Sequence, residues 1–97
     1  MAGHHVVLLN FPGEVPTEKL NKFFNNLKDW LRFSPESWLV YTALSASELR
    51  DRLHEEFKTE DPSILILPTT LDGWAAFAKV LPREWIKTTR EASASGE

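Results

Sequence analysis

The chain contains no cysteine. Disulfides, thiolate–zinc sites and thiol nucleophiles are therefore excluded, and redox does not assign a compartment. No apolar run approaches the ~20 residues of a membrane-spanning helix, and the amino terminus lacks a basic region followed by a long apolar one. A cytoplasmic protein is the simplest expectation. Excess positive charge is missing as well: 11 Lys and Arg against 14 Asp and Glu give a net charge of −3. Strong non-specific nucleic-acid binding, which relies on clustered cations, is disfavoured. Glycine is scarce, with four residues. Gly13 and Gly73 are the two expected within the folded part, so there is no glycine-rich phosphate loop.

What is present is ordinary globular material with many rings. Of 97 residues, 42% are hydrophobic and 26% charged, with four Trp, six Phe and one Tyr. A chain this short builds one domain with a small core. The expected domain is 1–91, and the small polar residues 92–97 are expected to be a disordered tail. Met1 to His5 reads in part as a cloning remnant, and His4 and His5 carry little weight.

Val6-Val7-Leu8-Leu9 is a continuous aliphatic run bounded by Asn10 and Pro12-Gly13, as in a strand buried on both faces. Leu20, Phe23, Phe24, Leu27 and Leu31 recur at helical spacing. Thr17 is placed to cap the helix, which is expected over Thr17 to Asp29. Trp30 to Phe33 reads equally as a short strand or a fraying helix end. Ser37 to Leu44 alternates and is rich in β-formers, so it is a strand.

Ser45 and Glu48 have the spacing of a capping box, with Leu44 and Leu49 as a hydrophobic staple across it. A helix therefore starts directly after that strand, with Ala46, Leu49, Leu53 and Phe57 as its buried stripe. Ile64-Leu65-Ile66-Leu67 is the second fully apolar strand, and Pro82 to Arg90 reads as a last helix. The order β-α-β-β-α-β predicts an α+β, ferredoxin-like domain: a four-stranded antiparallel sheet, two helices on one face, and a C-terminal helical segment. The two runs without a polar face are expected as its central strands. A charge at Leu65 is then expected to unfold the domain.

Three stretches, taken in order, carry a resemblance: Glu36-Ser37-x-Leu39-Val40, then Leu44-Ser45-Ala46-x-Glu48-Leu49-Arg50-Asp51, then Trp74-Ala75 with Leu81-Pro82. Together the chain resembles the small SinR-like proteins, which in turn resemble the CRISPR-associated ferredoxin-fold scaffold of spacer integration and the VapD-type toxins. The likeness runs from Asp29 to Leu81, a little over half of the chain. It implies a homodimer formed by sheet edges and C-terminal segments. In the nuclease members it also implies an aspartate just after the first strand, one per subunit, holding a divalent metal for phosphodiester hydrolysis.

Here that position is Asn10, a neutral amide that cannot supply the charge a hard dication favours. The expectation is therefore a non-catalytic dimeric interaction or scaffold protein with no cofactor. One alternative is a metal-dependent nuclease or toxin-like endoribonuclease, the only reading that needs a divalent metal. Another is an antitoxin-like or phage-encoded regulator of a second protein.

The remaining candidates are weaker. Arg32, Arg50 and Arg52 are the most plausible basic cluster for nucleic acid, and Lys79, Arg83 and Lys87, with Arg90, form the basic stretch near the carboxyl terminus. Asp51, Glu55 and Asp61 suit helix-surface solvation and i,i+4 pairing better than metal binding. His54 has no paired Ser or Cys nucleophile. In a sheet with helices on one face, the other face must be covered. Trp74, Phe77 and Trp85 are expected to cover it, at a dimer interface or by folding back over the sheet.

Overall fold

The computed structural model of the protein describes residues 2–70. Four strands and two helices follow in the expected order: β1 (Gly3–Asn10), α1 (Thr17–Asn25), β2 (Asp29–Ser34), β3 (Ser37–Thr42), α2 (Ala46–Glu56) and β4 (Ser63–Thr69). The strands form one antiparallel sheet in the order β2-β3-β1-β4. This is the ferredoxin-like βαββαβ arrangement, with both helices on one face.

Strand alternation decides what each face receives. Val7 pairs with Trp38 and with Ile66, and Trp38 with Arg32, so these share the helix-covered side. The core lies there: Val7, Leu9, Phe11, Leu20, Phe24, Trp38, Val40, Leu49, Leu53 and Phe57. Phe24 of α1 stacks on Trp38 of β3, with centroids 4.7 Å apart and planes at 21°. Phe57, just beyond α2, meets Phe23 and Phe11 edge-on.

The capping box forms as expected. Ser45 Oγ accepts from the Glu48 N–H at 3.1 Å, and the Ser45 N–H donates to Glu48 Oε1 at 3.0 Å. The bond from the Ser45 N–H is the main cause that holds the Glu48 carboxylate below its usual range. Leu49, Leu53 and Phe57 are buried and Ala46 is half-buried.

Several expectations are corrected. α1 stops at Asn25, not Asp29. Asparagine is a poor helix former, and the chain from Asp29 pairs with β3. Trp30 to Phe33 is accordingly strand: Trp30 turns to the core side, its ring 5.9 Å from Phe24, and Leu31 turns to the opposite face. Thr17 does not cap α1. Pro16 occupies the cap position without a side-chain bond. β3 ends at Thr42 rather than Leu44.

β1 begins at Gly3, so His4 and His5 are structural residues, both buried. β1 is also not buried on both faces, because Leu8 is exposed. Most consequential, β4 is an edge strand, and the central strands are β1 and β3. An apolar run is therefore no proof of a central position. Leu65, on that edge, is 53% exposed, and the expectation that a charge there unfolds the domain falls with it.

Candidate functional site

The face turned away from the helices is built in rows across the sheet. One row aligns Ser37, Leu8 and Leu65; the next aligns Leu31, Leu39, Val6 and Leu67; a third aligns Asp29, Tyr41, His4 and Thr69. No described helix lies on this side. Its cover is uneven. Tyr41 and His4 are buried, with their rings 5.0 Å apart, and Lys28 Nζ stands 5.4 Å from the Tyr41 ring centroid. Toward β4 the face opens: Leu8, Leu65 and Leu67 are 39%, 53% and 46% exposed. Phe33, at the irregular end of β2, is 59% exposed. Sequence reasoning missed these leucines, because a fully apolar run carries no sign of which face is left open.

The rings on the two central strands of this face, His4 and Tyr41, are too deeply buried for a base to stack on. Single-stranded RNA read on a sheet face needs accessible rings in such places.

Asn10 is the last residue of β1, exposed, opposite Ser63 of β4 and on the same side as Leu8. The neighbouring acid is Glu36, to which sequence reasoning gave no role beyond its place in the resembling stretch. Its Oε2 accepts the Phe11 N–H at 2.9 Å, and its carbonyl accepts the Leu9 N–H at 2.9 Å. Glu36 thus fixes the chain on both sides of Asn10 by its own bonds. Among the described residues no group of three or more His, Asp or Glu is placed to hold a metal ion.

The basic cluster does not assemble. Arg32 lies on edge strand β2, whereas α2, which carries Arg50 and Arg52, packs on β4 at the far edge. Arg32 is also engaged locally: it donates to the Ser34 and Pro35 carbonyls at 3.3 and 2.8 Å and covers the Trp38 ring at 5.5 Å. Arg50 pairs with Asp51 at 3.0 Å. Arg52 stands among acids, in an open groove of about 480 Å³ between α1 and α2 floored by Phe23 and Leu27 and edged by Asp51, Glu55 and Glu56. Glu55 bridges Lys58 at 2.9 Å, and His54 is exposed.

Asp61 serves the backbone instead. It takes φ 51°, in the left-handed region, and turns the chain into Pro62 and β4. Beside this turn, Lys19 of α1 holds both Glu60 oxygens, at 2.8 and 3.0 Å, while lying 5.0 Å from the Phe57 ring centroid. Lys79, Arg83 and Lys87, and the aromatic residues Trp74, Phe77 and Trp85, lie outside the described residues.

Comparison with protein-family models, curated proteins and solved structures finds no match to this chain. The ferredoxin-like assignment rests on strand order and connectivity alone.

Proposed function

We propose that this chain is a non-catalytic interaction or scaffold protein that works as a homodimer through the open face of its sheet. The observation that carries this reading is the adjacent set Leu8, Leu65 and Leu67, aligned across β1 and β4 and left largely exposed. Clustered exposed aliphatic residues favour association, because each buried methylene contributes about 0.8 kcal/mol.

A stable interface takes roughly 800 Å² from each partner, so the surface used extends beyond these three leucines across the sheet. Asn10 agrees with the non-catalytic part of the reading, since a neutral amide stands where the resembling nucleases carry an acid. Mass measurement by light scattering over a concentration series tests the dimer. A mass near twice 11.1 kDa at micromolar concentration supports it, and a monomer throughout the series removes it.

A further inference from the structure

Two buried side-chain polar atoms have no hydrogen-bond partner among the described residues: His5 Nδ1 and Trp38 Nε1. They are not scattered. His5 is aligned with Val40 and Val7 with Trp38, so His5 and Trp38 are diagonal neighbours on adjacent strands, both on the helix-covered face. Such diagonals put residues roughly 7–8 Å apart, within reach of long ring side chains. His5 is 6% exposed and Trp38 1%. Buried polar atoms are nearly always paired, so two orphans on one patch require a reason.

We infer that His5 is an acid-operated latch at the sheet–helix interface: the domain closes on the neutral imidazole and loosens when it is protonated. The chemistry of the pair supports this. The indole nitrogen is a donor only. Protonation gives His5 an N–H at Nδ1, an atom with no acceptor among the described residues, and puts a full charge at a buried position.

Among the described residues, none aligned with His5 or on its diagonals carries an acid to offset the charge. Val40 and Pro68 flank His5 in register, and Trp38, Thr42 and Ile66 lie on its diagonals. Of these only Thr42 carries a hydroxyl, already accepting the Leu44 N–H at 3.2 Å. The helices bring Leu20, Phe24, Leu49 and Leu53, all apolar. Arg32 lies on this face against the Trp38 ring, and it repels a second cation. His4 projects from the other face. Burial lowers the His5 value below 6.5, and no acid contributes to raise it.

The sign follows. The folded value lies below the unfolded one, so this contribution is complete above about pH 6.5. It is lost as pH falls from there toward the folded value.

The test is chemical denaturation of the full chain at several pH values from 7.5 to 5, for the wild type and for His5→Leu. The wild-type midpoint is expected to fall across this range, and the variant midpoint to fall clearly less. Equal pH slopes overturn the latch. If His5→Leu does not fold, an NMR titration of the wild-type imidazoles decides the matter. A His5 midpoint below the ordinary imidazole value of about 6.5 supports the latch, and one at or above it overturns it.

Discussion

Leu8 of β1 and Leu65 of β4 stand directly opposite each other on the sheet face that carries no described helix. Both are exposed, whereas Val7 and Ile66, the next pair along, sit on the core side. One residue of displacement along each strand separates structural leucines and valines from those free to meet a partner.

Leu65→Asp therefore separates folding from association. At an exposed edge position the substitution is expected to change stability by no more than about 0.5 kcal/mol. The circular dichroism spectrum should stay native while the light-scattering mass drops to the monomer. A variant that unfolds would place Leu65 in a core after all, and one that stays dimeric would move the interface away from this face.

Trp38 is the centre of the core, stacked on Phe24 and covered by Arg32. Trp38→Ala is expected to cost about 3–5 kcal/mol, enough to leave a small domain largely unfolded. Urea denaturation measures it. A loss below 1 kcal/mol would mean the stacked pair contributes little.

Ser45→Ala removes one half of the capping box and should cost about 1 kcal/mol. It should also alter the acid limb of stability. The Ser45 N–H first, and its side chain second, hold the Glu48 carboxyl below its ordinary value of 4.5, and alanine keeps the first and removes the second. That contribution is present above pH 4.5 and is lost as pH falls through the lower folded value. Denaturation midpoints between pH 6 and 3 should decline less in the variant than in the wild type.

The Lys19–Glu60 bridge joins α1 to the turn before β4, with Lys19 lying against Phe57. Lys19→Met keeps the aliphatic stem on the ring and removes the charge. Thermal melts at low salt should show a smaller loss than Trp38→Ala, and the gap to wild type should narrow at 1 M salt as screening weakens the bridge. A gap independent of salt would assign the effect to packing.

Local signals carried much of this protein. The Ser45–Glu48 cap was legible because it joins residues three apart, and the geometry of a helix start follows from that spacing. The element order was legible because apolar period tracks secondary structure. The end of α1 was not, since Leu27 and Leu31 keep helical spacing after the helix has stopped; pairing of Trp30 and Leu31 with β3 overrides it. Nor was the role of Glu36, whose bond to Phe11 spans 25 residues. The three-arginine cluster failed for a related reason: Arg32 lies on β2 at one edge of the sheet, whereas the helix that carries Arg50 and Arg52 packs on β4 at the other.

By itself the sequence determined the composition limits, the α2 start, the alternation of β3 and the βαββαβ order, because each depends on neighbours within a few residues. Tertiary structure alone decided that β4 lies at the edge, that Leu8 and Leu65 face outward and that His5 and Trp38 share a buried patch. Those facts depend on strand order and register. Pairing energies between distant segments set both, and shifting a register by one residue would exchange the two faces.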